Sequence, residues 1–268
     1  MKLGFLGGGN LAASMIRGLR EQNAPYDITV HDIDPQRLEF LRAAYAVRTA
    51  DAEALVPEAE TLLLAVKPNH AAGLLDALRS YDLSGKLLIS TAAGLPLRFY
   101  SARLPGAALV RAMPNTSSAA LRAVTGLAAG EGVTPAQRET AAAIFSALGK
   151  VLWIEERGMN ALTAVSGSGP AYFYLLTELM AEAGAALGLA PADAEFLARE
   201  TLIGAGRMLE AGSESPAALR ERVTSPGGTT AAALRVFAES GLEDAVRRAL
   251  AACAARAEEM VRESGTAC

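Results

Sequence analysis

Three kinds of short stretch in this chain carry residues suited to holding negative charge or a flat ring. The first is Gly7-Gly8-Gly9-Asn10-Leu11-Ala12, which follows the apolar run Lys2–Leu6 and opens a segment with helical spacing. In this G-x-G-x-x-A pattern Gly7 permits a tight turn, Gly9 lets the backbone approach a pyrophosphate, and Ala12 lets the helix pack closely on the strand. The helix start adds amide donors and a partial positive charge. Asp32 closes the next predicted strand, where an acidic side chain can accept hydrogen bonds from ribose hydroxyls. A glycine triplet alone is also the make-up of a plain tight turn. Its place between a strand and a helix, with Asp32 downstream, points to a dinucleotide, and Leu6, Gly7, Gly8, Gly9, Asn10, Leu11 and Asp32 are the candidate contacts.

Two further turns follow predicted strands. Ala65, Val66, Lys67 and Pro68 should border the same ligand, because ligands of open α/β sheets lie beyond the carboxyl ends of strands. Lys67 is placed to meet the ribose or phosphates, though a surface Lys after a strand needs no ligand. Ala92, Ala93 and Gly94, after Thr91, are small enough to leave room for a flat nicotinamide. In the second half, Ser225-Pro226-Gly227-Gly228-Thr229-Thr230 can expose successive backbone amides and hydroxyls to a small anion. The same residues also make an ordinary capped helix start. Ser166-Gly167-Ser168-Gly169-Pro170-Ala171-Tyr172 reads either as a pocket wall or as a helix start with Pro170 in its first turn.

Positioning these turns requires alternating strands and helices. Strands are predicted at Lys2–Leu6, Ile28–Asp32, Thr61–Val66, Lys86–Ser90, Leu109–Ala112, Val124–Ala129 and Val151–Ile154, with helices at Leu11–Glu21, Pro35–Tyr45, His70–Ser80 and Pro135–Leu148. That alternation predicts an α/β fold, a Rossmann-type parallel sheet domain over residues 1–156. From Met159 the pattern is helix after helix, broken at Gly188–Pro191, Gly212–Pro216 and Ser225–Gly228, which predicts an all-helical domain over 157–268.

Composition narrows the function classes. A chain of 268 residues with 51% hydrophobic and 20% charged residues is globular, and no uncharged apolar run reaches the roughly 18 residues of a membrane span. No export signal is legible, and Cys253 and Cys268, both late in the chain, supply neither a disulfide framework nor metal-ligand spacing. A reducing cytoplasm and no metal are expected. A net charge of −4 without basic runs gives no footprint for nucleic acid or an anionic membrane. Partners should be small molecules or further copies of the chain.

Taken in order, these turns together with Arg111-Ala112-Met113-Pro114-Asn115-Thr116, Ser166–Tyr172 and Thr224–Thr230 resemble the pyrroline-5-carboxylate reductase family over nearly the whole chain. The resemblance implies a helical domain that interlocks with its twin in a homodimer or larger homo-oligomer. It implies reduction of the cyclic imine 1-pyrroline-5-carboxylate to L-proline with NADPH or NADH. It places the substrate carboxylate on Ser225, Gly227, Gly228, Thr229 and Thr230, with Thr230 near the ring nitrogen as the catalytic residue; Ser168 or Tyr172 is read as lining the pocket. Two positions depart from the family pattern: Ser117 stands where Pro is frequent, and Asp32-Ile33 stands where many NADPH-using members have Asn-Arg. The second departure predicts that NADH is used at least as well as NADPH. The alternative is that Asp32 turns to solvent or caps the helix from Pro35 while Arg37 holds a 2′-phosphate.

The chemistry agrees with what the second half lacks. Reduction of a neutral ketone needs a proton for the nascent alkoxide, usually from His, Lys or Tyr. No Lys follows Lys150 and no His follows His70. A protonated cyclic imine accepts hydride without a strong general acid, so geometry and charge stabilisation suffice. A β-hydroxyacid dehydrogenase, the alternative oxidoreductase, usually carries a Lys on a C-terminal helix, and none is present here. Within the resemblance, the intact Ser225–Thr230 turn argues against a non-catalytic dinucleotide sensor, in which that turn would be free to vary.

Overall fold

The computed structural model describes residues 1–212 and 214–263; Cys268 lies outside the described residues. The chain divides into two compact units, one formed by Met1–Gly167 with the end of the chain from Cys253, the other by Ser168–Ala252.

The first unit is a doubly wound sheet. Its elements are β1 (Lys2–Leu6), α1 (Asn10–Glu21), β2 (Asp27–His31), α2 (Pro35–Tyr45), β3 (Arg48–Thr49), α3 (Ala52–Glu58), β4 (Thr61–Leu64), α4 (Pro68–Leu78), β5 (Leu87–Ser90), α5 (Leu97–Ser101), β6 (Ala108–Met113), β7 (Ala123–Ala129), α6 (Pro135–Ser146), β8 (Gly149–Trp153) and α7 (Met159–Leu162). The strand order is β3-β2-β1-β4-β5-β6-β7-β8. Strands β4 and β5 are apolar almost throughout because both sheet faces are covered. Leu63, Leu87 and Ile89 pack with Ala12, Met15, Ile16 and Leu19 of α1 and with Ile144 and Phe145 of α6. Leu62, Leu64 and Leu88 pack on the opposite face with Leu55 of α3, Leu75 of α4 and Phe99 of α5.

The parallel order breaks once: β7 runs antiparallel to β6, from the pair Val110 and Ala129 to the pair Met113 and Gly126. Residues 114–122, with a 3-10 turn at Thr116–Ala120, are too few for a parallel crossover, which needs about a dozen residues or more. The return strand β8 pairs parallel with β7, because α6 supplies that crossover. The helix expected from His70 begins two residues earlier, at Pro68, because Pro suits a first turn whose N–H has no partner. Strand β3 and helices α3 and α5 lie outside the predicted elements.

The second unit contains α8 (Gly169–Ala186), α9 (Pro191–Ala211), α10 (Pro216–Arg222), α11 (Thr229–Glu239) and the start of α12 (Leu242–Val261). The breaks fall where Gly and Pro were read, with one more at Gly241, whose φ is +74°. Helices α8 and α9 approach closely at Gly184, where a Cβ would stand 3.3 Å from that of Ala194. Among the described residues of this unit only Gly169, Ala194 and Ala198 are buried. No helix among the described residues is long and apolar enough to cross a membrane.

Candidate active site

In the first unit β2, β1, β4 and β5 are consecutive in the sheet, so their carboxyl ends bring the predicted dinucleotide contacts side by side. The strand order reverses between β1 and β4, the position where open α/β sheets leave a crevice. The ladders continue past the strand ends. Gly7 N–H donates to His31 O at 2.8 Å, Ala65 N–H to Leu6 O at 2.8 Å, and Thr91 N–H to Leu64 O at 3.2 Å. Leu6, Ala65 and Thr91 thus start their turns from one hydrogen-bonded edge.

Gly7 has φ of +108°, and a Cβ there would stand 2.6 Å from the Ala65 carbonyl oxygen. The turn after β1 is therefore built against the turn after β4, and only Gly fits between them. Gly9 is the N-cap of α1, and no side chain caps the helix there. A Cβ at Gly9 would meet nothing within 4 Å. Open space over bare helix amides, including those of Asn10 and Leu11, fits a phosphate group.

Asp32 does not turn to solvent and does not cap α2. Its Oδ2 accepts from Gly8 N–H at 2.5 Å and its Oδ1 from Asp34 N–H at 2.9 Å. Asp34 is the cap, accepting from Gln36 N–H at 2.9 Å. Ile33 is 87% exposed. Val66 lies beside Gly7, while Lys67 is the exposed N-cap of α4 and Pro68 its first residue.

The Thr91–Gly94 turn rests on a buried polar group that the sequence did not single out. Ser90 Oγ and Tyr100 Oη lie 2.6 Å apart, and Ser90 Oγ accepts from Ala92 N–H at 3.3 Å. Tyr100 is 1% exposed, and burial pushes its phenol up to about 12, with the Ser90 hydrogen bond opposing. The fold therefore favours the neutral phenol. Its contribution is present below the unfolded value of 10.0 and is lost as pH rises from there towards about 12. Tyr100→Phe should cost about 1 kcal/mol at neutral pH, or about 2–4 °C in Tm, and should flatten the alkaline loss of stability. Denaturant midpoints at neutral pH and above pH 10 measure both. Equal alkaline losses in the two proteins would remove Tyr100 as the cause.

The Arg111–Thr116 stretch has an architectural part. Arg111, which is buried, pairs with Glu156 at 3.1 Å, and the same Glu156 Oε1 accepts from Leu97 N–H at 2.7 Å. Asn115 donates from Nδ2 to Ser166 O at 3.1 Å and accepts from Val124 N–H at 3.3 Å. A Cβ on Gly167 would stand 3.1 Å from Met113 Cε. The motif therefore holds a π turn at Thr163–Gly167, just ahead of Ser168, the residue preceding α8.

In the second unit Ser225–Gly228 is a turn closed by Gly228 N–H to Ser225 O at 3.0 Å, with φ of +70° at Gly227. A Cβ on Gly228 would strike Ser225 Oγ at 2.5 Å. Gly228 is the N-cap of α11 and has no side chain to occupy the helix amides. Thr229 and Thr230 are the first two helical residues, Thr229 exposed and Thr230 half-buried. Bare amides, two hydroxyls and the positive end of an 11-residue helix can receive a carboxylate.

Comparison with known proteins agrees with this construction. The family model for pyrroline-5-carboxylate reductase dimerisation matches residues 156–260, and that for NADP oxidoreductase, coenzyme F420-dependent, matches 2–94. A pyrroline-5-carboxylate reductase of Pseudomonas aeruginosa is 38% identical over 98% of each chain. A pyrroline-5-carboxylate reductase structure from Coxiella burnetii superposes with a TM-score of 0.92 at 36% identity, covering 96% of this chain and 97% of that one. The Plasmodium falciparum pyrroline carboxylate reductase, solved with NADP bound, gives 0.84 at 26% identity over 97% and 98%. With relatives this similar along its whole length, and with their sheet and helices in its own structure, this chain belongs to the pyrroline-5-carboxylate reductase family.

Proposed function

We propose that this enzyme reduces 1-pyrroline-5-carboxylate to L-proline, with residues 1–156 holding a nicotinamide dinucleotide and residues 157–268 serving substrate binding and dimerisation. The observation that carries the reading is the pair of side-chain-free helix starts, at Gly9 and at Gly228, each suited to an anion. The first suits a pyrophosphate and the second the substrate carboxylate. The bound nicotinamide supplies the hydride. The chain's own residues do the rest: Gly9, Asn10 and Leu11 direct amides at phosphate, and Ala92, Ala93 and Gly94 leave room for a flat ring. Gly227, Gly228 and Thr229 hold the carboxylate with Ser225. The Thr230 hydroxyl oxygen accepts from the protonated ring nitrogen, and Ser168 lines the pocket. Following NADH and NADPH oxidation with racemic pyrroline-5-carboxylate tests the proposal. Faster oxidation of a 3-hydroxy acid than reduction of the imine would overturn it.

NADH should serve at least as well as NADPH. Asp32 places a carboxylate at the end of β2, and Ile33 offers a 2′-phosphate no attraction. Arg37 is occupied, donating from Nε to Gly8 O at 2.9 Å, with its Nη2 covered. Like charges about 4 Å apart repel by up to roughly 4 kcal/mol at an effective dielectric near 20, and solvent lowers that. Even about 1.4 kcal/mol gives a tenfold preference. The measurement is kcat/KM for both coenzymes in wild type and in Asp32→Asn with Ile33→Arg. A wild type that favours NADPH tenfold or more would defeat the argument.

The working form is a homodimer or a larger homo-oligomer, in a reducing cytoplasm. Leu175, Leu176, Leu179 and Met180 of α8 and Val236 and Phe237 of α11 are exposed on the single chain. A helical unit with so little buried of its own needs a partner surface, of about 2,000 Å² or more if the interface is obligate. Light scattering at micromolar concentration should find no monomer; a stable, active monomer would count against this.

A further inference from the structure

In the first unit Arg37 is a half-buried cation on α2. Its Nε donates to Gly8 O at 2.9 Å, its guanidinium carbon stands 5.1 Å from the centre of the Phe40 ring, and its Nη2 is buried without a partner. On the other side of the same residue, Asp32 Oδ2 accepts from Gly8 N–H at 2.5 Å. The two peptides that flank Gly8 are thus each tied to a side chain of opposite charge.

We infer that Arg37 and Asp32 are positioning residues that aim the glycine loop at the pyrophosphate. The Gly8 carbonyl and the Gly9 N–H belong to one peptide group, and no peptide bond in the described chain is cis. In a planar trans peptide the two point in opposite directions. Holding the carbonyl towards Arg37 turns the Gly9 N–H the other way. Asp32 fixes the preceding peptide, and Asp34 N–H, bonded to Oδ1 at 2.9 Å, keeps the Asp32 carboxylate from rotating. Three successive glycines would otherwise be the most mobile part of the site. Charge-assisted bonds at both ends of Gly8 remove that freedom before coenzyme arrives, which is preorganisation. Asp32 then acts on the loop as well as on any ribose, and Arg37 acts on both coenzymes alike.

The inference rests on reading the loop as a coenzyme site, so its test uses coenzyme binding without substrate. NADH and its analogue lacking the adenosine 2′-hydroxyl are titrated by fluorescence against wild type, Arg37→Met, Arg37→Lys and Asp32→Asn. Arg37→Met keeps an apolar stem beside Phe40, and melting curves establish that each variant folds. Arg37→Met should weaken both coenzymes by the same factor, about tenfold, the loss of one charged hydrogen bond of roughly 1.5 kcal/mol. Arg37→Lys, which keeps a donor, should recover part of the loss. Asp32→Asn should weaken the 2′-deoxy analogue too. Unchanged binding in Arg37→Met, no recovery with Lys, or an Asp32→Asn effect that vanishes with the analogue would each overturn the inference. A wild type that binds NADH but leaves the imine unreduced would sink the proposed function and not the clamp. A wild type that binds no NADH would sink both.

Discussion

Thr230→Ala is expected to lower kcat/KM for pyrroline-5-carboxylate roughly ten- to hundredfold, the weight of a hydrogen bond to a charged iminium at about 1.5–3 kcal/mol. Coenzyme affinity should stay near wild type, since the proposed role of Thr230, at the start of α11, is toward the imine nitrogen and not toward the glycine loop. Thr230→Ser, which keeps the hydroxyl, should retain most of the activity. The substitution to Ala is mild for the fold, because Thr230 is only half-buried and α11 takes no cap from it. Steady-state kinetics with the imine varied at saturating NADH give the answer. Unchanged kcat/KM in Thr230→Ala would remove it from the site.

The second large effect separates two glycines of one loop. Gly7→Ala forces a side chain into a φ of +108° and within 2.6 Å of a backbone oxygen. The positive φ alone costs about 1–3 kcal/mol, and the Ala65 carbonyl can yield only by moving the turn after β4. Stability and NADH binding should therefore fall together, with Kd rising tenfold or more. Gly9→Ala meets no atom within 4 Å, so the fold should lose at most about 1 kcal/mol, the difference between Gly and Ala at an N-cap. Binding should nevertheless weaken as much, because the new methyl fills the space that suits a phosphate. Melting curves paired with NADH titrations read both quantities. If Gly9→Ala bound NADH as wild type does, the open space above α1 would not be the phosphate site.

The legible parts were those whose physics is local. Gly7–Ala12 after an apolar strand announces its turn, and Pro35, Pro135 and Pro191 mark helix starts by denying a donor where none is needed. The illegible parts have partners far away or too few residues. Strand β3 is two residues long, and α3 contains Pro57, which reads as a breaker because it removes a helical donor. The direction of β7 is not written in its residues, since an apolar strand pairs either way; the shortness of residues 114–122 decides it. Arg37 bonds a backbone oxygen 29 positions away, and backbone oxygens have no sequence signature. Asn115 carries no signal of its own within its motif, and only the fold shows it joining Ser166 to β7. For Ser90 and Tyr100, the signal available was a polar pair in an apolar neighbourhood.

The two margins of the sheet differ in a way that bears on how the protein behaves when concentrated or briefly unfolded. At one margin β3 is too short to template another chain, and Arg48 is engaged there by Asp27 at 3.2 Å and Glu58 at 3.3 Å. At the other, β8 is a five-residue strand with Lys150 and Leu152 facing outward, and Val124 of β7 lies in register with Lys150. An unpaired ladder edge beside apolar side chains invites strand addition and aggregation, and a lysine on such an edge discourages it, because an incoming strand would have to strip its water. Neutralising Lys150, by substitution or acetylation, is therefore expected to leave catalysis alone while shortening the life of the protein in solution, which activity and turbidity followed over time would measure.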